Sequence, residues 1–195
     1  YLAWPHRQKL IVSELQRIDS DIVCLQEIQT DLWEDFLIEF EGKYEGILQN
    51  TTNDHPVTNA ILLKKNKFQV LRQESRSRAL ILVLDCIDQD DNQQSAAHTD
   101  RPLYLANVHL QAGMEDDKTR ICQLKSLMKR MNTHVKQDKR NKDEPPPKCA
   151  IVGDFNMLPT NPIYRWLSHK QHETASIHGR SKQPLVHMHD AGTGE

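Results

Sequence analysis

Apolar and polar positions in the first part of the chain follow first a helical and then a strand period. Apolar residues at helical spacing predict a helix from Pro5 to Arg17, with Pro5 in its first turn. The apolar run at 21–25 predicts a short buried strand, and Thr30 to Phe40 is predicted as a second helix. A helix that leads directly into a buried strand is typical of α/β proteins.

Beyond residue 40 the apolar runs predict mainly short strands, together with one long and one short helix. Runs typical of β-strands, separated by Gly, Asn, Lys or polar clusters, predict strands at 44–48, 59–63, 68–71, 78–84, 102–110 and 148–152. A long helix is predicted over 115–135, with one apolar stripe that we interpret as core packing: Ile121, Leu124, Leu127, Met128 and Met131. A short helix is expected through Leu167, and residues 168–195 are predicted to be rich in loops.

Composition and charge limit what such a chain can be. The 195 residues are 37% hydrophobic and 27% charged with a mean hydropathy of -0.68, which predicts one soluble globular domain over 1–195. No apolar run is long enough to span a membrane, so we expect no membrane partner. The net charge of -2 excludes a global basic field, so a nucleic-acid substrate would need a local basic site.

The four cysteines are widely spaced and contain no CxxC pair. This pattern predicts reduced core thiols of an intracellular protein, and it does not favour a disulfide framework or a zinc site. The residues concerned are Cys24, Cys86, Cys122 and Cys149.

Polar side chains follow three of the predicted strands at their carboxyl ends: Glu27, His109, and Asp154 with Asn156. In a pleated strand Asp154 and Asn156 would share one face, with Phe155 turned into the core. An Asp/Asn turn is the alternative interpretation of this segment. Glu27 could instead be a stabilising charge at the start of the next helix, and a histidine at a strand end is often structural.

Together these residue types favour metal-assisted phosphate chemistry. Carboxylate oxygens suit Mg²⁺ or Mn²⁺ rather than zinc, and a metal at Glu27 would neutralise phosphate charge. Asp154 could deprotonate an attacking water, and Asn156 could donate a hydrogen bond to the charge that builds on phosphorus. His109 could donate to a phosphate oxygen or to the leaving group. The sequence shows neither a serine or cysteine nucleophile elbow nor a Gly-rich phosphate loop.

Three segments in this order resemble the signature blocks of the endonuclease/exonuclease/phosphatase superfamily: DIVCLQE at 21–27, NVHL at 107–110 and VGDFN at 152–156. That superfamily includes deoxyribonuclease I, apurinic endonucleases, inositol polyphosphate 5-phosphatases and sphingomyelinases. The resemblance covers about residues 4–167 and implies an α/β fold, a four-layer α/β/β/α sandwich of two mixed sheets. The family also begins with a strand that bears a metal-site Asn and ends with a further Asp and a Ser-Asp-His block.

Neither of those two features is found in this sequence, and the late segment 187–190 does not match the final block and is interpreted as a loop. We therefore expect a piece of a longer protein, incomplete at both termini.

Flanking segments are similar to the carbon catabolite repressor, Nocturnin and Angel group: 4–7, 59–65, 67–68, Arg120 with 123–124, and 161–164. That group includes Mg²⁺-dependent 3′-to-5′ exoribonucleases that shorten poly(A) tails and release 5′-AMP. The resemblance implies Glu27 as metal ligand, His109 as phosphate-contacting catalytic histidine, Asp154 as water-activating acid and Asn156 as its transition-state partner. Arg78 is predicted as a substrate phosphate contact.

The implied partners are RNA with a 3′ poly(A) tail and scaffold proteins of an mRNA-decay complex. The implied location is the cytoplasm, and the nucleus also. Two alternatives stay open at this point. The first is another phosphodiesterase or phosphatase on the same fold, acting on DNA, 2′,5′-linked oligoadenylate, inositol phosphates or a dinucleotide. The second is a binding module that keeps the sheet and lacks the second half of the site.

Overall fold

The computed structural model describes residues 3–50, 56–87, 102–113, 116–138 and 146–173, with side chains described up to residue 167. In chain order the elements of its first half are α1 (Trp4–Ile18), β1 (Ile22–Gln29), a 3₁₀ helix (Thr30–Leu32), α2 (Trp33–Ile38), β2 (Tyr44–Leu48) and β3 (Val57–Lys64). Those of its second half are β4 (Phe68–Arg76), β5 (Ala79–Cys86), β6 (Leu103–His109), α3 (Asp117–Gln137), β7 (Lys148–Asp154) and α4 (Pro162–Glu173).

The strands form two sheets of different type. The first sheet has the order β1-β3-β2 and is antiparallel throughout its described strands. The second has the order β4-β5-β6-β7 and is mixed, because β6 and β7 are parallel while the other neighbours are antiparallel. Parallel neighbours need a crossover connection, and α3 lies between β6 and β7 in the chain. Of the two sheets predicted as mixed, the second is therefore mixed and the described part of the first is antiparallel.

Three apolar clusters separate four layers. The first lies between the N-terminal helices and the first sheet and includes Val12, Trp33, Phe36, Ala60 and Leu62. The second lies between the two sheets and includes Ile61, Leu63, Leu80, Leu82, Leu84 and Leu105. The third lies between the second sheet and the C-terminal helices and includes Ile81, Val83, Ala106, Leu124, Leu127, Met131, Ile163 and Leu167. The predicted four-layer α/β/β/α sandwich is confirmed.

The central strands are buried on both faces, which explains their continuous apolar runs. In β3, Ala60 and Leu62 face the helices, whereas Ile61 and Leu63 face the other sheet. β5 shows the same alternation between the second and third clusters. A strand with two buried faces has no polar face to reveal its period, so its sequence is apolar throughout.

Several predicted elements differ from the observed ones. The helix predicted over Thr30 to Phe40 is divided into a 3₁₀ turn and the short α2, and β1 continues four residues beyond Leu25 to Gln29. The stretch predicted as loop-rich begins inside a helix, because α4 continues through Glu173, and Lys170, Gln171 and Glu173 favour helix. The remainder of 168–195, including 187–190, lies outside the described residues.

All four cysteines are free, as predicted. Burial raises the pKa of the Cys24 thiol to about 12, which keeps it protonated. Cys122, however, is exposed on α3, so its assignment to the core is wrong. It lies outside the apolar stripe of that helix. No helix within the described ranges has the length and apolar character needed to cross a membrane.

Candidate active site

Glu27 lies at an irregular point of β1. The pairing of β1 with β3 shifts register between Leu25 and Ile28, and Glu27 itself has a φ of 56°. A left-handed conformation costs a residue with a Cβ about 1–2 kcal/mol, and bulges of this kind often re-aim a side chain next to an active site. The Glu27 side chain is 73% exposed. The acid predicted to follow a strand end is therefore presented by a bulge within the strand.

His109 and Asp154 are placed by regular pairing in the second sheet. They are partners in the parallel register of β6 and β7, at the carboxyl ends of both strands. The Nε2 atom of His109 lies 3.9 Å from Asp154 Oδ2 and 3.9 Å from Glu27 Oε1. These separations exceed hydrogen-bond range, so the imidazole faces both carboxylates without bonding directly to either. The structure thus brings together Glu27, His109 and Asp154 from two different sheets.

Asn156 does not continue the strand, because β7 ends at Asp154 and Asn156 has a φ of 51°. Its backbone N–H donates to Asp154 Oδ1 at 2.8 Å, and its side-chain Nδ2 donates to the Leu110 carbonyl at 2.8 Å. The prediction that Asp154 and Asn156 share one face of a pleated strand is wrong, since the segment forms an Asp/Asn turn. Phe155 packs against the third cluster as expected. The turn fixes Oδ1 of Asp154 and leaves Oδ2 toward His109.

Gly153 allows β7 to approach β6 closely. Its φ is 125°, and a Cβ at this position would lie 2.1 Å from the Val108 carbonyl oxygen and 2.8 Å from the Val108 nitrogen. Because these are backbone atoms held in the sheet, they cannot move aside as a flexible side chain would. Glycine is therefore required next to Asp154 for both conformation and space.

Asn107 was not predicted as a site residue, yet it joins the two sheets beneath the site. Its side chain is fully buried, and its Nδ2 donates to the carbonyls of Leu25 at 2.8 Å and Ala60 at 2.9 Å. Its Oδ1 accepts from Gln26 Nε2 at 2.7 Å. The signal in the sequence was a single amide within the apolar strand that leads to His109. Asn107 holds the backbone on the N-terminal side of Glu27 and is a positioning residue.

Arg120 is a second buried positioning residue. Its guanidinium donates to the carbonyls of Gln111 at 2.9 Å and Gly113 at 2.7 Å, and to Asp117 Oδ1 at 2.7 Å. Asp117 also accepts from Asn161, and the hydrogen bonds from Arg120 and Asn161 lower its pKa below the ordinary range. Arg120 therefore ties the loop after His109 to α3, and through Asp117 to the segment after Asp154.

Arg78 lies in the turn before β5, which begins at Ala79 and not at Arg78 as predicted. Its carbonyl accepts the backbone N–H of His109 at 3.1 Å. Its guanidinium donates to Gln111 Oε1 at 2.7 Å. The structure thus places Arg78 beside His109 through the backbone, with its side chain directed to the loop that follows. Its contact with a substrate phosphate stays a prediction.

The oxygen ligands of the site fit a hard divalent cation that is only partly coordinated by protein side chains. Within the described ranges, no group of three or more His, Cys, Asp or Glu residues is arranged to hold a metal ion. Mg²⁺, however, is commonly held by one or two carboxylates and completes its shell with water and substrate phosphates. The exposed Glu27 carboxylate, with Asp154 across His109, offers oxygen ligands of this kind. Among the described residues, the site does not have the closed nitrogen and sulfur set of structural zinc.

Comparison with known proteins agrees with this fold. Residues 1–194 match the Endonuclease/Exonuclease/phosphatase family. Carbon catabolite repressor protein 4 homolog 3 of Arabidopsis thaliana is 27% identical over 169 residues, which are 86% of this chain and 36% of that protein. The CCR4-Not complex 3′-5′-exoribonuclease subunit Ccr4 of Kluyveromyces lactis is 23% identical over 185 residues, which are 80% of this chain and 23% of that protein. The chain thus spans about a third or less of these relatives.

A solved structure gives the same result for the fold. The crystal structure of ANGEL2, described as a 2′,3′-cyclic phosphatase in complex with adenosine-2′,3′-vanadate, superposes with a TM-score of 0.70 at 23% identity. The superposition covers 86% of this chain and 49% of that one. This chain therefore belongs to the endonuclease/exonuclease/phosphatase family, a family of nucleases and phosphatases, and resembles its carbon catabolite repressor and Angel members.

Proposed function

We propose that this chain forms part of a Mg²⁺-dependent phosphodiester hydrolase, a 3′-to-5′ exoribonuclease that shortens poly(A) tails and releases 5′-AMP. The observation that carries the proposal is the His109 imidazole placed 3.9 Å from each of two carboxylates at adjoining sheet ends. A cationic or hydrogen-bonding group between two acids suits a reaction in which phosphate charge increases. The 3′-5′-exoribonuclease among the relatives supports the choice of RNA.

The two carboxylates take different roles in this proposal because their surroundings differ. Glu27 is the more exposed and holds Mg²⁺, with Mn²⁺ as an alternative; the bound ion would neutralise phosphate charge and polarise a phosphorus–oxygen bond. Asp154 has one oxygen fixed by the Asn156 backbone, so its other oxygen is oriented to accept a proton from an attacking water.

The remaining predicted residues act on the phosphate. His109 donates a hydrogen bond to a phosphate oxygen or to the leaving group. Asn156 uses one side-chain N–H for the Leu110 carbonyl, and the second N–H of the same amide is the donor for the developing charge. Arg78 contacts a substrate phosphate. The same proposal includes RNA with a 3′ poly(A) tail as substrate, a scaffold of an mRNA-decay complex as partner, and a location in the cytoplasm and the nucleus.

The test uses the full-length protein and a 5′-labelled RNA that ends in a 3′ oligo(A) run, with Mg²⁺ or with EDTA. We expect stepwise 3′ shortening that requires Mg²⁺ and falls by at least about a hundredfold in Glu27→Gln and Asp154→Asn. Glu34→Gln is the matched control, because Glu34 is an exposed acid on α2 and is not one of the predicted site residues. It should leave the rate within about twofold of the wild type.

A second RNA, ending in a 2′,3′-cyclic phosphate, separates the proposal from a phosphatase on the same fold. Loss of the cyclic phosphate without shortening would contradict the exonuclease and support the phosphatase. An RNA that stays intact in both forms would contradict both activities on RNA, and would leave the small phosphorylated substrates and the binding module.

A further inference from the structure

A cleft of about 280 Å³ lies next to the site on the α3 side of the second sheet. Its floor includes Val108 and Leu110, the two neighbours of His109 in the chain, which pack toward α3. One wall is the turn between β4 and β5, and the other is the first half of α3. Since side chains alternate along a strand, His109 faces the opposite side of the sheet from Val108 and Leu110. The cleft and the candidate site therefore lie on the two faces of the same end of β6.

The cleft is rich in hydrogen-bond donors. Arg76, Ser77 and Arg78 line it from the turn. Thr119, Gln123 and Ser126 line it from α3. In the part of the chain that the structure describes, no carboxylate lines the cleft, and the hydroxyls of its serines and threonine make no hydrogen bond to another described residue. A concave surface with two guanidinium groups, three hydroxyls and no acid is suited to an anion.

The positive charge of this wall is not cancelled by its nearest acid. Nη1 of Arg76 lies 3.6 Å from Oε1 of Glu74, whereas Arg130 at 2.5 Å and His134 at 2.9 Å both bond to Oε2 of that carboxylate. The one negative charge of Glu74 is therefore shared between Arg76 and α3, and the Arg76 separation is longer than a hydrogen bond. The Arg76 side chain is 51% exposed and remains available to a ligand at the cleft.

We propose that this cleft binds a backbone phosphodiester of a polynucleotide strand, away from the nucleotide that reacts at His109. The inference rests on the proposed function and adds to it, because it assigns the substrate to polymers and not to small phosphorylated molecules. The chain has a net charge of -2, so a strand must be held by local basic sites of this kind. Arg78 connects the two sites, since its carbonyl bonds His109 and its side chain lines the cleft.

The test compares KM and kcat of the full-length protein for an adenylate dinucleotide and for an oligo(A) of about 20 nucleotides, over a range of NaCl concentrations. We expect the wild type to have the lower KM for the longer RNA. Arg76→Gln should raise the KM for the longer RNA, relative to that for the dinucleotide, about tenfold. It should also reduce the slope of log KM for the longer RNA against log salt by about one. Ser126→Glu, which adds a carboxylate to the wall, should act in the same direction.

Lys129→Gln is the matched control, because Lys129 is an exposed cation of α3 that does not line the cleft. An effect of Lys129→Gln equal to that of Arg76→Gln would overturn the proposal in favour of general electrostatic attraction. Equal KM values for the two RNA lengths in the wild type would also overturn it, while leaving the hydrolase intact.

Fluorescence anisotropy of the labelled longer RNA in EDTA separates the two proposals, since it needs no reaction. Binding that weakens about tenfold in Arg76→Gln, in a protein that hydrolyses neither RNA, would support the cleft and contradict the nuclease. Binding that is unchanged in Arg76→Gln and in Ser126→Glu would contradict the cleft, whatever the activity.

Discussion

The two sheets contribute to the site in opposite ways. The second sheet places His109 and Asp154 by regular parallel pairing, one residue opposite the other at two strand ends. The first sheet places Glu27 through a register shift and a left-handed backbone. The regular pairing has a glycine, Gly153, at its one position of positive φ, whereas Glu27 carries a Cβ at such a φ and its backbone is held by the buried Asn107. Strand pairing in the second sheet therefore holds His109 and Asp154, whereas a few hydrogen bonds between the sheets hold Glu27.

Gly153→Ala tests the regular β6–β7 pairing of the second sheet and should have the largest effect on stability. The added methyl would meet the Val108 carbonyl at 2.1 Å in a backbone conformation that alanine avoids, so we expect the free energy of unfolding to fall by about 3 kcal/mol or more. Urea unfolding of the full-length protein measures this change. Gly42→Ala, where no atom lies within 4 Å of the added methyl, is the control and should change stability by less than about 1 kcal/mol. Equal effects of the two variants would contradict the close approach of β7 to β6.

Asn107→Leu tests what holds the irregular part of β1 that carries Glu27. It removes the hydrogen bonds that Asn107 makes with the carbonyls of Leu25 and Ala60 and with the amide of Gln26, so we expect a loss of about 2–3 kcal/mol in the free energy of unfolding. Asn132→Ala, at an exposed position of α3, should cost less than about 0.5 kcal/mol. A loss below about 1 kcal/mol in Asn107→Leu would show that the two sheets are joined without this side chain.

Glu27→Gly separates the strain of this irregular part of β1 from its function. Glycine adopts the left-handed conformation freely, so this variant should raise the free energy of unfolding by about 0.5–1 kcal/mol while activity is lost. Glu27→Gln keeps the backbone strain and should lose activity with little change in stability. If Glu27→Gly is less stable than Glu27→Gln, the strain assigned to this residue is wrong.

The smallest expected effect concerns Glu74, in the second sheet but away from the site. Burial would raise the pKa of its carboxyl, but hydrogen bonds from Arg130 and His134 outweigh burial and hold that pKa below its ordinary value of 4.5. A lowered pKa contributes stability that is present above pH 4.5 and is lost as pH falls through the folded-state value. Unfolding from pH 7 to pH 3 should show that Glu74→Gln removes a pH-dependent contribution of under about 1 kcal/mol. An unchanged pH profile would contradict the pairing.

The strands and the residues of the site were largely predictable from the sequence, whereas the backbone conformation at Glu27 and Asn156 was not. Apolar runs bounded by polar clusters predicted the strands, and polar residues at their ends predicted Glu27, His109, Asp154 and Asn156 as site residues. The bulge at Glu27 and the turn at Asn156 depend on left-handed backbone at residues other than glycine, for which local sequence carries little signal. Asn107 stands out in the sequence only as an amide within an apolar strand, and its role depends on carbonyls of strands that are distant in the chain.

The central claim is that Glu27 of the first sheet and Asp154 of the second act as one catalytic unit. A double-mutant cycle on kcat tests this claim most directly. The cycle compares Glu27→Gln, Asp154→Asn and the double variant of the full-length protein on oligo(A) RNA. Residues that serve the same chemical step lose activity non-additively, so we expect the double variant to be no more than about tenfold slower than the slower single variant. Losses that multiply, so that the double variant shows the product of both effects, would contradict a single catalytic unit that contains Glu27 and Asp154.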